Sequence, residues 1–337
     1  MNGNGETLLS ARDVVQEFTV RDAGGSRGGV VQAVSGVSFD VLPGETLGVV
    51  GETGSGKSTL ARALLQEPRP KAGAVTFRGA ELTRLRGRKL LQARRHMQFV
   101  FQDPFGSLDP KWRVRSIVTE PLLAYRVGSR ADRRARVDEL LDLVGLDPAR
   151  YAGRHPRELS GGQAQRVAIA RALALNPSLI ICDEAVSSLD VLIQAQVLNL
   201  FEKLRGELGL SYVFIAHDLS LVKQVSDRVA VMYLGKMCEI GPGESVYKRP
   251  LHPYTRALLD SIPATEPGAG RRGAAPISGE PPSPISPPSG CRFRTRCPRA
   301  ADICATEAPP MRELATGPGG GTHSVACHFP LTSGNHG

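Results

Sequence analysis

The sequence lacks any long hydrophobic run. Apolar stretches such as 178–182 and 212–216 fall far below the roughly 18–20 residues that a membrane-crossing helix needs. It also lacks an opening basic head followed by an apolar stretch and a small-residue cleavage site. A chain of this kind is expected to stay in the cytoplasm and to meet a membrane only at its surface. Aromatic residues are only 5% of the total, and none interleaves with the basic cluster at 126–136. A base-stacking platform is therefore missing and no nucleic-acid partner is expected. Cysteine is sparse, with six residues, and no two are spaced C-x2-C as in a zinc ribbon. No fixed-period repeat is present.

What is present is an ordinary globular composition. Hydrophobic residues make up 41% and charged residues 22% of 337. That length permits one large core and a smaller appendage. The formal net charge of +9 is spread along the chain. It predicts solvated, Arg-rich helix faces and a surface compatible with an anionic leaflet.

Residues 2–7 are polar and predict a frayed start. Residues 8–20 and 30–41 alternate as strands do, around a Gly-rich loop at 22–29. Short apolar runs at 46–50, 179–182 and 212–216 predict buried strands. Helical periodicity covers 57–65, 131–144, 163–175 and 193–207. A hairpin turning at Gly235 is predicted from 228–234 and 236–240. This alternation predicts an α/β core with a parallel sheet, into which the long helical middle is inserted. From 263 to 290 Pro, Gly and Ser accumulate, predicting an extended, partly polyproline segment ahead of a cysteine-rich tail.

Three stretches carry chemistry. Gly51-Glu52-Thr53-Gly54-Ser55-Gly56-Lys57-Ser58 fits G-x-x-x-x-G-K-[ST], after a predicted strand and opening a helix. Its glycines let backbone N–H groups wrap phosphate oxygens, and the helix N-terminus adds positive potential. Lys57 would reach the β- and γ-phosphates, and Ser58 would ligate Mg²⁺. Second, the apolar run 179–182 ends in Asp183 and Glu184. Asp183 can hold Mg²⁺ through water and Glu184 can orient the attacking water. Third, Leu159-Ser160-Gly161-Gly162-Gln163 is a helix start, with Ser160 as N-cap and Gln163 closing a capping box. Each also has a bland reading: a Gly-rich turn, a strand end with solvated acids, an ordinary cap.

Together the three resemble the motifs of ABC ATPases. The resemblance implies a P-loop NTPase (RecA-like) core, an antiparallel β subdomain and an inserted α-helical subdomain. It implies that the Ser160–Gln163 segment of one subunit meets the γ-phosphate held by another. It places nucleotide contacts at Phe18, stacked on adenine, and at Gly51, Thr53, Gly54, Ser55, Gly56, Lys57, Ser58 and Thr59. Ser160, Gly161, Gly162, Gln163 and Asp190 of the Ser188-Leu189-Asp190 stretch join that set. Gln102 matches the glutamine that senses Mg²⁺ and water, so Mg²⁺ would lie on Ser58, Gln102 and Asp183. His217 matches the histidine that contacts the γ-phosphate, and Glu184 is the implied catalytic base. ATP and Mg²⁺ are the implied cofactors.

A finer resemblance is to the oligopeptide/dipeptide importer ATPases. It rests on Phe101-Gln102-Asp103-Pro104-Phe105-Gly106-Ser107-Leu108-Asp109-Pro110, on Val191-Leu192-Ile193-Gln194-Ala195-Gln196-Val197, and on Leu251-His252-Pro253-Tyr254-Thr255 with the later prolines and cysteines. It implies a nucleotide-binding domain over 1–250, with its helical subdomain at about 103–170, and a Pro/Cys-rich extension over 251–337. It implies a peripheral ATPase on the cytoplasmic face of the membrane, energising two transmembrane permease subunits fed by an extracytoplasmic solute-binding protein. A second, related ATPase completes a heterodimer, although this chain carries both faces and could pair with itself. Nickel, glutathione or another small solute is an alternative cargo, and a soluble non-transport ABC ATPase a more distant reading. One departure is Ala185 after Glu184, where the family usually has Pro; it puts local rigidity and rate in question.

Cys291, Cys297, Cys304 and Cys327 run C-x5-C-x6-C-x22-C. A reducing compartment disfavours disulfides, and so short a tail has little apolar area to stabilise its own fold. A [4Fe–4S] cluster on these four thiolates is therefore expected as a structural staple, with Arg292, Arg294, Arg296 and Arg299 offsetting its charge. Zinc and unmetallated thiols are the alternatives.

Overall fold

The computed structural model of the chain describes residues 7–21, 27–262, 279–316 and 321–331. The expectations for residues 2–6, for the loop at 22–26 and for 263–278 of the Pro-rich segment lie outside the described residues. In chain order the strands are β1 Leu9–Arg21, β2 Arg27–Val41, β3 Thr46–Val50, β4 Ala72–Phe77, β5 Ala80–Glu81, β6 Met97–Val100, β7 Leu179–Asp183, β8 Ser211–Ala216, β9 Arg228–Tyr233, β10 Lys236–Pro242, β11 Arg312–Thr316 and β12 Thr322–Val325. The chain divides into two compact units.

One unit comprises Leu9–Asp40, Thr46–Thr83 and Ala216–Gly337. It holds a four-stranded sheet in the order β2-β1-β4-β5, with β1–β4 and β4–β5 antiparallel. Leu9 and Ala11 of β1 are buried while Arg12 is exposed, the alternation of a sheet with one face covered. In the same unit β3 runs parallel to β9. Strand β10 then pairs antiparallel with β9 through a two-residue turn, Leu234-Gly235, in which both residues have positive φ. Turns of that hand match the right-handed strand twist. The helix Lys57–Leu64 follows β3 and buries Leu60, Ala61, Ala63 and Leu64.

The tail departs from expectation. Instead of a segment without periodicity held by a cross-link, it supplies two strands. β12 pairs antiparallel with β10, Glu239 opposite Val325, and β11 pairs with β12. Backbone hydrogen bonding, together with burial of Phe293 and Val325, orders this part of the chain. The sequence reading missed it because His323-Ser324-Val325 is too short for a period-2 pattern to stand out. Residues 279–290 form neither helix nor strand, as the prolines predict.

The other unit comprises Met1–Leu8, Val41–Glu45 and Arg84–Ile215. Its strands β6, β7 and β8 are parallel, with Met97 beside Leu179 and Leu179 beside Ser211. Every residue of β7 is buried, which explains why 179–182 is continuously apolar. Helices Val114–Ala124, Arg130–Leu143, Gly161–Leu173 and Val191–Leu208 supply the helical part. Arg130–Leu143 opens with a capping box between Ser129 and Asp132 and buries Val137, Leu140 and Leu141 on one stripe.

Candidate functional site

The glycine-rich loop follows the fully buried strand β3. Gly51 has φ of 153°, and a Cβ there would lie 2.1 Å from the Met232 carbonyl oxygen. Gly56 has φ of 98°, and its Cβ would lie 2.0 Å from the Ala33 carbonyl oxygen. Both positions therefore demand glycine, on backbone angle and on space. Gly56 is also the N-cap of the helix Lys57–Leu64 and offers no side-chain cap, and the N-terminus of a helix favours an anion. Lys57 is buried, and its Nζ donates to the carbonyls of Gly51 at 2.7 Å and Glu52 at 3.0 Å. Thr53, Gly54 and Ser58 are exposed around it. The cradle fits a polyphosphate: small, rich in N–H groups, and centred on one ammonium.

In the same unit Phe18 lies on β1 and is 39% exposed, a strand aromatic with an open face. His217, the first residue after β8, is exposed, and Asp218 caps the next helix by accepting from the Ser220 N–H at 2.7 Å.

The other unit holds the carboxylates. β7 ends at buried Asp183. Glu184 follows with φ of 50°, a left-handed angle that a non-glycine residue adopts at a cost of about 1 kcal/mol or more. Gln102 Nε2 donates to Glu184 Oε2 at 3.0 Å. Ser188 Oγ donates to the Gln102 carbonyl at 3.4 Å, and Ser187 Oγ donates to the Glu184 carbonyl at 2.9 Å. Gln194 Nε2 donates to the Val186 carbonyl at 3.0 Å. These bonds hold the turn that contains Ala185, which is itself fully buried.

Ser160 and Gln163 form the expected capping box, with bonds of 3.3 and 3.0 Å. A Cβ on Gly162 would lie 2.5 Å from Ile193 Cγ2, and one on Gly161 3.2 Å from Leu189. The paired glycines thus let the start of the helix Gly161–Leu173 approach the Asp190-capped start of Val191–Leu208.

Residues 34–187 match the family model described as ABC transporter. The chain is 50% identical over 329 residues to the oligopeptide transport ATP-binding protein AppF of Bacillus subtilis, across 97% of this chain and 98% of that protein. The chain belongs to the ABC transporter ATP-binding family. Residues 238–304 of this ABC ATPase match a second model, described as the C-terminal region of oligopeptide/dipeptide transporters, which places it in that branch. A putative peptide import ATP-binding protein of Brucella abortus is 48% identical over 96% of the chain. Among solved structures, cbiO1 from Clostridium perfringens superposes with a TM-score of 0.62 at 26% identity, covering 72% of this chain and 92% of that one. A post-hydrolysis, dimeric form of the ATP-binding cassette MJ0796 with ADP and Pi gives 0.60 at 31%, covering 68% and 96%.

The tail of the ABC ATPase requires a correction. Cys304 and Cys327 are buried, and Cys291 and Cys297 half-buried. Burial pushes the Cys327 thiol up to about 12, with Cys291, Cys297 and Cys304 adding to the rise; burial likewise raises Cys291 and Cys297. The thiols sense one another, yet among the described residues no group of three or more His, Cys, Asp or Glu side chains is arranged to hold a metal ion. The expected [4Fe–4S] centre does not fit this geometry. β10–β12 pairing and the Cys291 N–H bond to the Cys304 carbonyl at 2.8 Å organise the tail.

The sequence reading also missed what holds the phosphate loop from behind. The Glu52 N–H donates to the Tyr254 hydroxyl at 2.8 Å, and Arg296 pairs with the Glu52 carboxylate. Tyr254 was visible only within the Leu251–Thr255 resemblance, and Arg296 only as a charge near cysteines.

Proposed function

We propose that this chain is the ATP-binding and ATP-hydrolysing subunit of an importer for oligopeptides or dipeptides. The observation that carries this reading is the Gln102–Glu184 hydrogen bond at the end of β7, in a chain whose relatives are oligopeptide-transport ATP-binding proteins along almost all of its length. Lys57 and the loop N–H groups would hold the β- and γ-phosphates of ATP. Ser58, Gln102 and Asp183 would hold Mg²⁺, which neutralises phosphate charge when bound. Glu184 orients and deprotonates the attacking water, with Gln102 fixing its carboxylate. His217 contacts the γ-phosphate, Phe18 stacks on adenine, and Ser160–Gln163 with Asp190 serve the nucleotide of a partner ATPase. Residues 1–250 form the cassette and 251–337 the importer-type extension.

The partners are two transmembrane permease subunits, a second related ATPase, and an extracytoplasmic solute-binding protein reached through the complex. The chain would sit at the cytoplasmic face of the membrane through those permease subunits; among the described residues no helix is long and apolar enough to cross a membrane. Phe101 and Phe105, flanking Gln102, are exposed, as is Trp112. A groove of about 860 Å³ nearby in sequence is lined by Trp112, Leu123, Arg113, Arg130 and Arg134. Arg130 and Arg134 of the 126–136 cluster line this groove and are exposed, and a permease segment with acidic and apolar side chains suits it.

The test is reconstitution with candidate permease subunits in vesicles. ATP hydrolysis stimulated by a peptide-loaded binding protein is expected, and nickel- or glutathione-dependent stimulation in place of peptide would overturn the cargo. Mass measurement of the complex decides the pairing: one ATPase species present twice refutes the heterodimer.

A further inference from the structure

Glu52 occupies one of the four variable positions of the phosphate loop. Phosphate binding there is a task of backbone N–H groups and Lys57, so it does not itself call for a carboxylate. An acid beside a triphosphate is moreover unfavourable, because two like charges a few ångströms apart repel. The structure answers that charge. Arg296 Nη1 donates to Glu52 Oε2 at 2.7 Å and Nη2 to Oε1 at 3.1 Å, a two-pronged pair. The Arg296 side chain is only 6% exposed. It also donates to the Tyr233 hydroxyl at 3.3 Å and lies over that ring, 5.8 Å from its centroid.

The rest of Glu52 is held as well. Its N–H donates to the Tyr254 hydroxyl and its carbonyl accepts from Lys57. Tyr254 is itself fixed. Buried Glu239 accepts the N–H groups of Leu251 at 2.8 Å and His252 at 2.9 Å, with His323 Nε2 at 2.7 Å from the same carboxylate. Phe293, three residues before Arg296, packs against Tyr233 and Tyr254 with ring centroids 5.2 Å away from each. The bracket reaches the loop from residues 254 and 296.

We infer that Arg296 and Tyr254 are positioning residues for ATP binding: acting through Glu52, they neutralise the acid in the phosphate loop and hold its backbone in phosphate-ready form, so that the C-terminal segment sets the affinity of the loop for ATP. This rests on the reading that residues 51–58 bind the nucleotide phosphates.

The experiment measures ATP affinity of the full chain by calorimetry, and KM and kcat in the assembled importer. The variants are Arg296→Gln, Arg296→Lys, Tyr254→Phe and the double variant Glu52→Gln/Arg296→Gln, with Lys57→Ala as control. Arg296→Gln is expected to weaken ATP binding roughly fivefold or more, the lower range of coupling between distinct sites, and to raise KM with kcat within about twofold. The double variant is expected to recover most of the loss, because no unpaired carboxylate then remains in the phosphate loop. A residue that merely stabilises the fold would not show that recovery. Arg296→Lys keeps the charge, loses the fork, and is expected to lie between wild type and Arg296→Gln; it decides the matter if the Gln variant does not fold. Tyr254→Phe is expected to weaken binding by less, in the same direction. Wild-type affinity in the Arg296 variants, with Lys57→Ala losing ATP, overturns the inference. Wild-type affinity in Lys57→Ala overturns the reading of the loop itself.

Discussion

Gln102 donates a hydrogen bond of 3.0 Å to Glu184, a residue whose φ of 50° is imposed where β7 turns away. The strained backbone and the donor together aim one carboxylate. Glu184→Gln keeps an oxygen for Gln102 and removes the base. Hydrolysis is expected to fall by about 10²- to 10⁴-fold, the usual contribution of a positioned general base, with ATP affinity retained. Single-turnover hydrolysis beside equilibrium ATP binding checks it, and near-normal turnover would refute the assignment of Glu184.

Lys57 already donates to two loop carbonyls, so its ammonium is placed before any phosphate arrives. Lys57→Ala removes a charged hydrogen-bond donor, a loss of about 1.5–3 kcal/mol. That corresponds to a roughly ten- to hundredfold weaker ATP complex, to be read by calorimetry.

His252 is buried, and burial pushes its pKa down to about 4 from 6.5, against the opposing pull of Glu239. The folded protein therefore holds it neutral where the unfolded chain would protonate. The associated stability is complete above pH 6.5 and is lost as pH falls from there through 4. The loss amounts to about 3 kcal/mol by linkage. His252 Nδ1 also accepts the Tyr254 N–H at 3.0 Å. His252→Asn retains a capping acceptor and removes the titration. Urea denaturation between pH 4 and 7 is expected to show a shallower acid loss in that variant.

Gly162→Ala would place a methyl group 2.5 Å from Ile193 Cγ2. The two helix starts would have to part, at about 1–3 kcal/mol. The denaturation midpoint should fall, and adding Ile193→Ala should return part of the loss by making room. Equal midpoints in Gly162→Ala and wild type would show that the contact is loose.

Much of the molecule was legible because its patterns are local. Thr46–Val50, Lys57–Leu64, Leu179–Asp183 and the Gly235 hairpin follow from apolar runs, glycine spacing and a two-residue turn, each set by neighbours in the chain. The Ser160–Gln163 capping box is likewise local, and it formed as written. The tail was misread because a pattern of four thiols is a weak constraint beside the backbone's need to pair. β12 found its partner in β10, far away in sequence, a pairing that no local pattern encodes.

By itself the sequence determined the phosphate loop, the carboxylates at the end of β7, the glycines before Gln163 and hence the family, since these depend on residue type at short spacing. Tertiary structure alone decided that Glu184 adopts a left-handed angle with Gln102 on its carboxylate. It alone decided that Gly162 answers to Ile193 and that Arg296, 244 residues away along the chain, neutralises Glu52. The physical reason is range. Backbone propensity and capping act within a few residues, whereas charge pairing and close packing depend on distances that only the folded chain sets.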